Sequence, residues 1–325
     1  MKALVCDCYG SFDCVRYRDV PDPVAKPDEI LVSIRAAGAV FTDLLFVQGR
    51  YQVKPDLPFV LGSEMAGEVI AVGERVTRFR PGDRIMSLAL RFGAFAERIA
   101  LPEWLPVRMP ASLPYETGAA LISSSATAQH ALRQKAQLQP GETLVVTGAA
   151  GGTGSAAIQV GKAIGARVIA VVSSAERAQF CKSLGADDTI DYNREDLKQA
   201  IKDRTEGRGA DVILETVGGN AFDACSRAMA VDGRLLVVGF ASGRIPSLPV
   251  NLTLVKVYSV IGVHWLTFVK KNPELHAANM EELVTWVEHG LVSPPVSAVF
   301  PLSEGVSALK KIESRDVLAK VVLKV

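Results

Sequence analysis

Hydrophobic and polar positions divide this chain into three stretches. From residue 1 to about 118, short runs such as Ile30-Leu31-Val32-Ser33-Ile34 and Glu68-Val69-Ile70-Ala71-Val72 lie between breaks at Pro21-Asp22-Pro23, Lys26-Pro27-Asp28, Pro81-Gly82-Asp83 and Pro102. Short alternating runs bounded by turn residues predict strands. From about 119 to 264 apolar strands alternate with helical stretches: Leu144-Val145-Val146, Val168 to Val172, Thr189-Ile190, Val212-Ile213-Leu214 and Leu235 to Gly239. Alternation of this kind predicts a parallel, doubly wound α/β sheet. Leu252 to Gly262 reads as its last strand. From about 265 to 325, a helix is expected around Met280 to Glu288 and a closing strand at Lys320 to Leu323.

The most informative stretch is Thr147-Gly148-Ala149-Ala150-Gly151-Gly152-Thr153-Gly154, between the first of those strands and an Ala-rich helical segment. A strand, a glycine turn, a helix and a second strand form one βαβ unit. Such a turn lets backbone approach a pyrophosphate, and the helix that follows aims free N–H groups and a partial positive charge at the anion. Here the pattern is A-x-G-x-x-G, with Ala149 in the first place. Ala157, Ile158, Gly161 and Ile164 share one helical face, and Gly165 suits the C-terminal cap. A dinucleotide cofactor is expected, with Ala150, Gly151, Gly152 and Thr153 at the pyrophosphate; a βα turn without a ligand is the alternative.

At the tip of the second strand, an NAD-selective site would carry an acid about 20 residues past the turn. Instead the chain has Ser173-Ser174-Ala175-Glu176-Arg177. Two hydroxyls and a guanidinium suit a 2′-phosphate, so NADPH is expected. Ser174 could equally cap a helix, with Arg177 a surface residue.

The 325 residues are 49% hydrophobic, enough for two domains. A net charge of +1 gives no support to nucleic-acid binding. The early polar residues of the N-terminus do not suit a signal peptide, and no apolar run reaches the ~20 residues of a membrane helix, so a cytoplasmic protein without membrane contact is expected. Cys6, Cys8, Cys14, Cys181 and Cys225 form no C-x-x-C pair; with Cys6 and Cys8 on the first strand, they are expected to be small buried residues rather than a disulfide or metal framework. His130, His264, His276 and His289 have no metal-ligand spacing.

Gly62-Ser63-Glu64-Met65-Ala66-Gly67-Glu68-Val69-Ile70-Ala71-Val72-Gly73 and Arg80-Pro81-Gly82-Asp83-Arg84-Ile85, taken with Ala149 to Gly154 and Leu184-Gly185-Ala186-Asp187, resemble the medium-chain dehydrogenase/reductase superfamily. Within it, the chain is most similar to the zinc-free NADPH:quinone oxidoreductase and zeta-crystallin group, with enoyl-thioester reductases as near relatives. The resemblance implies a GroES-like, mostly-β substrate domain of residues 1–118 and 265–325. It also implies a Rossmann domain of residues 119–264, an active site in the cleft between the domains, and a homodimer.

Zinc-dependent relatives carry ligands where this chain has Val40, Phe41 and Ser63. Without a Lewis acid, alcohol oxidation is disfavoured, and hydride delivery to a quinone, enone or enoyl thioester is expected. Tyr51 falls where enoyl-thioester reductases carry a donor, or it lines the cleft. Val40 and Leu45 replace polar residues of the quinone reductase group, implying a more apolar pocket. Carried over from the family, Thr127 lies near the nicotinamide and Tyr192 joins Ser173, Ser174 and Arg177 at the 2′-phosphate. Phe240, Ala241, Val263, His264 and Trp265 edge the ribose, and Lys320 is a further contact. Each has an ordinary alternative: Tyr192 as a loop aromatic, His264 and Trp265 as packing, Lys320 as a solvated side chain. The family also admits a non-catalytic, crystallin-type NADPH-binding protein or an RNA-binding one. The apolar strand at the sheet edge would be paired with its copy or covered by the C-terminal tail.

Overall fold

A computed structural model describes residues 1–325. The first stretch forms β1 (Lys2–Cys6), β2 (Val15–Asp19), β3 (Glu29–Ala39), α1 (Phe41–Val47), β4 (Phe59–Val60), β5 (Glu64–Val72), β6 (Arg84–Leu88), β7 (Arg98–Pro102), β8 (Val107–Arg108) and α2 (Tyr115–Gln129). A π-helical turn, His130–Lys135, continues α2. Then come β9 (Thr143–Val146), α3 (Gly152–Ile164), β10 (Arg167–Val172), α4 (Ala175–Ser183), β11 (Asp188–Asp191), α5 (Leu197–Asp203), β12 (Ala210–Glu215), α6 (Gly219–Cys225), β13 (Met229–Val237), α7 (Asn251–Lys256), β14 (Ser259–Gly262), α8 (Trp265–Lys271) and α9 (Pro273–Glu288). The chain closes with β15 (Val296–Pro301), α10 (Gly305–Glu313) and β16 (Lys320–Lys324).

These elements form two compact units, one of Met1–Ser123 with Pro294–Val325 and one of Ser124–Ser293. In the first, β15-β16-β3-β5-β6-β8 form a sheet in which β7 also pairs with β3, and β2-β1-β4 form a smaller one. The first half of β3 alternates buried and half-buried residues where it pairs with β5 and β7; its second half, Ala37 to Ala39, is wholly buried between β5 and β16. This is the GroES-like unit.

In the second unit all strands run parallel in the order β11-β10-β9-β12-β13-β14. Chain direction across the sheet reverses between β9 and β12, the doubly wound arrangement. Leu144, Val145 and Val146 are fully buried, as are Val212, Ile213 and Leu214, because helices cover both faces of a parallel sheet. Gly165 adopts the left-handed conformation that ends α3, as its position in the pattern implied.

Three expectations need correction. Residues 252–262 are not one strand: α7 occupies Asn251–Lys256, Val257 ends it in a left-handed conformation, and only Ser259–Gly262 pair with β13. Apolar runs of this length do not distinguish helix from strand by pattern alone. Secondly, Cys8 and Cys14 form a disulfide, since β1 ends at Cys6 and the chain turns there; Cys6, Cys181 and Cys225 are free and buried. Finally, residues 265–293 fall in the unit of 124–293 rather than with the C-terminal strands, because α8 and α9 pack there. The His130 and Phe268 rings stack at 4.1 Å, Gln129 donates to Glu282 at 2.6 Å, and Ser293 N–H donates to Gln159 at 2.6 Å.

Candidate functional site

The carboxyl ends of β9, β10, β11, β13 and β14 are followed directly by the segments expected to bind a cofactor: 147–154, 173–177, Tyr192, Phe240–Ala241 and Val263–Trp265. Parallel strands bring all five to one edge of one sheet, where doubly wound folds bind ligands at the reversal point. That edge is braced by a buried carboxylate. Glu215, at the end of β12, accepts bonds from Val217 N–H and Gly218 N–H at 2.9 Å and from the Thr147 hydroxyl at 3.1 Å. Thr216 N–H donates to that hydroxyl at 3.0 Å, and the Thr216 hydroxyl donates to the Thr147 carbonyl at 2.9 Å. Burial pushes the Glu215 carboxyl up, and these donors oppose the shift. The ends of β9 and β12 are thereby locked together.

The turn after β9 is shaped for close approach. Gly148 has φ +57°, and Gly151 precedes α3 in an extended conformation with no side chain capping the helix. A Cβ at Gly154 would lie 2.3 Å from the Gly148 carbonyl oxygen and 2.7 Å from Ala149 Cα, so the helix presses directly on the turn. Helix start and turn together present backbone N–H groups and the positive end of the helix dipole, which fits a pyrophosphate.

At the tip of β10, Ser174 caps α4 by accepting from Arg177 N–H at 3.3 Å, so the capping alternative holds, and it leaves the Arg177 side chain in the first turn of α4. Asn193 donates to the Ser173 carbonyl at 2.8 Å, which ties the loop bearing Tyr192 to this tip. Tyr192 is 52% exposed. Ala241 N–H donates to the Thr216 carbonyl at 3.0 Å, and Val263 N–H to the Val237 carbonyl at 2.9 Å. His264 is exposed, its Nδ1 2.7 Å from the Thr267 hydroxyl; Trp265 is buried, its ring edge-on to His276. Thr127 is half-buried on α2.

Tyr51 and Lys320 belong to the other unit. Tyr51 is half-buried, with its ring 4.6 Å from that of Phe46; Phe92 lies 4.4 Å from Phe46 and 5.7 Å from Phe59. Its hydroxyl makes no hydrogen bond within the chain. Burial pushes the Tyr51 phenol up, which keeps it neutral and able to donate.

Lys320 is not solvated: it is 3% exposed, and its ammonium pairs with the fully buried Glu64. Glu64 also accepts from Ser123 N–H at 2.7 Å. Beside it, Asp43 is fully buried, accepting from Val40 N–H at 2.9 Å with the Ser63 hydroxyl at 3.5 Å. Burial pushes the Asp43 carboxyl up to about 7, against the pull of the Val40 N–H; Glu64 adds to the rise and Lys320 opposes it. The positions where zinc-dependent relatives carry ligands hold Val40, Phe41 and Ser63, and no group of three or more His, Cys, Asp or Glu side chains could hold a metal ion.

Comparisons with known proteins agree with this geometry. Residues 26–111 match the alcohol dehydrogenase GroES-like domain, and residues 152–285 match a model described as zinc-binding dehydrogenase. A quinone oxidoreductase-like protein 2 homolog from Nematostella vectensis is 39% identical over 297 residues, 91% of this chain and 81% of that protein. The chain belongs to the quinone oxidoreductase family of medium-chain dehydrogenases and reductases. It is therefore an oxidoreductase. A quinone oxidoreductase from Pseudomonas aeruginosa is 34% identical over 322 residues, 99% of each chain. The solved structure of Escherichia coli quinone oxidoreductase complexed with NADPH superposes with a TM-score of 0.94 at 26% identity, covering 100% of both chains.

Sequence reasoning passed over Glu215, Asp43 and Glu64 as functional candidates. Glu64 lies inside the Gly62 to Gly73 motif, and Glu215 closes an apolar strand, so a charge within an otherwise buried run is the available signal.

Proposed function

We propose that this protein uses NADPH to reduce a quinone or another conjugated carbonyl without a metal ion. The observation carrying this is the tip of β10, where Ser173, Ser174 and Arg177 stand in place of an acid. The NADPH complex of the Escherichia coli relative supports it. In this reading Ala150, Gly151, Gly152 and Thr153 border the pyrophosphate at the helix start, and Ser173, Ser174, Arg177 and Tyr192 take the 2′-phosphate. Thr127, Phe240, Ala241, Val263, His264 and Trp265 border the nicotinamide end. The bound cofactor would supply the hydride. The chain's own part is to fix the cofactor, exclude water and supply a proton.

Val40, Phe41 and Ser63 offer no zinc ligand set, so activation of an alcohol by a metal is not part of the proposal. The test is steady-state NADPH oxidation over a panel of quinones, enones and enoyl thioesters, with NADH as control. Turnover of at least one acceptor, preferring NADPH, is expected; binding of NADPH with no acceptor reduced would favour the non-catalytic, crystallin-type alternative.

A second reading, enoyl-thioester or enone reduction, is favoured by the Tyr51 hydroxyl, which is half-buried, neutral and without an internal partner. A positioned acid contributes about 10²–10⁴-fold, so Tyr51→Phe should lower turnover on such acceptors by that order while leaving NADPH affinity intact. An effect below about threefold on every acceptor would reduce Tyr51 to a wall residue.

The active form is proposed to be a cytoplasmic homodimer. β14 ends the parallel sheet, and Leu254, Val255 and Val257 beside it are 79%, 73% and 54% exposed. The C-terminal strand pairs with β3. Leu254→Asp should yield monomers by light scattering; a wild type monomeric at micromolar concentration would refute the dimer. Cell fractionation tests the location, and recovery outside the cytosol would contradict it.

A further inference from the structure

The loop between β1 and β2 is closed by the Cys8–Cys14 disulfide and leans on the segment that carries Tyr51. Gly10 N–H donates to the Val47 carbonyl at 2.9 Å, at the end of α1. The Tyr9 ring covers Gly49, where a Cβ would lie 3.1 Å from the Tyr9 Cγ and crowd the ring; Gly49 also has φ +64°, a turn conformation that favours glycine. On the far side of Tyr51, the Tyr9 phenol donates to the Pro55 carbonyl, and its ring lies 6.4 Å from that of Phe59. Tyr9 thus grips the Tyr51 segment at both ends, and its own position depends on a loop closed by one covalent link.

We propose that Tyr9 is a positioning residue for the Tyr51 segment, and that the Cys8–Cys14 link holds it in place, so that affinity for the acceptor responds to reduction of the disulfide. The proposal rests on the reading of Tyr51 as part of the acceptor site. Cys8 is exposed, open to attack by an external thiol. A small-molecule thiolate attacks the Cys8 Sγ, forming a mixed disulfide and releasing the Cys14 thiolate. A second thiolate attacks the external sulfur and releases Cys8. Two external thiols are oxidised to one disulfide, and their two protons end on Cys8 and Cys14. Cys6 does not compete: it is buried, its thiol donates to the Cys8 carbonyl at 3.1 Å, and burial pushes that thiol up, away from the thiolate form that exchange needs.

The experiment compares the full-length oxidised protein with protein reduced by dithiothreitol and freed of reductant by anaerobic gel filtration, alongside Cys8→Ser/Cys14→Ser, Tyr9→Phe and Tyr9→Ala. Reduction should raise KM for the acceptor roughly threefold to tenfold, the change a net hydrogen bond of ordinary strength gives. NADPH affinity should be unmoved, and reoxidation should restore KM. The double Ser variant should show the raised KM and no response to reductant; Tyr9→Phe, which keeps the ring, should be milder than Tyr9→Ala. Hydrogen exchange of residues 49–56 should quicken on reduction, and this holds whether or not an acceptor is turned over, separating failure of this proposal from failure of the reductase reading. Unchanged exchange after thiol titration has established full reduction, or a response surviving in the double Ser variant, would overturn it.

Discussion

The two units build their candidate sites from different materials. Between 124 and 293 the groups gathered at the sheet edge are largely backbone: an uncapped helix start, strand ends, and a glycine turn pressed against its helix. In the other unit they are side chains, an aromatic cluster around Tyr51 and a buried group of Asp43, Glu64 and Lys320. A backbone site is specified by a short stretch of chain and tolerates many side chains. A buried ionic site is specified by partners far apart in sequence, and removal of either leaves the other charge uncompensated.

That contrast predicts its largest effect at Lys320. Lys320→Met leaves Glu64 buried without its cation, and should cost roughly 3–5 kcal/mol in chemical denaturation. Adding Glu64→Gln should recover much of the loss. A loss below about 1 kcal/mol would mean that water or relaxation compensates Glu64, and the contrast between the units would fail.

A smaller effect separates the units by pH. Asp43, pushed up to about 7, holds its proton in the native state while the unfolded chain ionises above about 4, so its contribution to stability falls as pH rises through that window and levels above 7. His276 is pushed down to about 4 by burial; its Nδ1 has no partner. Below about 6.5 the unfolded chain takes up a proton that the native state refuses, so this contribution falls as pH falls towards 4. The slopes oppose each other, each at most about 1.4 kcal/mol per pH unit. Relative to wild type, the stability profile of Asp43→Asn between pH 4.5 and 6 should tilt upward with pH, and that of His276→Gln downward. Profiles parallel to wild type would refute these assignments.

The same contrast explains what was legible. The β9, α3 and β10 unit could be read from the chain because its period, its glycines and its cap all lie within the consecutive residues Thr143 to Val172. Glu64 and Lys320 are 256 residues apart, and no local pattern links them. Residues 252–262 misled because the Leu, Val and Ile positions of this stretch suit either conformation; α7 half-buries Leu252 against the sheet's core and exposes Leu254 and Val255, which a strand reading does not anticipate. The Cys8–Cys14 link was hidden because alternation carried β1 on to Cys8, whereas the chain turns after Cys6.

The central claim is that the backbone-built edge binds a phosphorylated dinucleotide, selected by Arg177. Calorimetric titration of wild type and Arg177→Ala with NADPH and NADH tests it most directly. The account predicts that wild type prefers NADPH, and that the substitution weakens NADPH by roughly 1.5–3 kcal/mol, the worth of a charge-assisted hydrogen bond, while NADH is almost unchanged. Equal losses for both cofactors, or a wild type that binds NADH as tightly as NADPH, would contradict it.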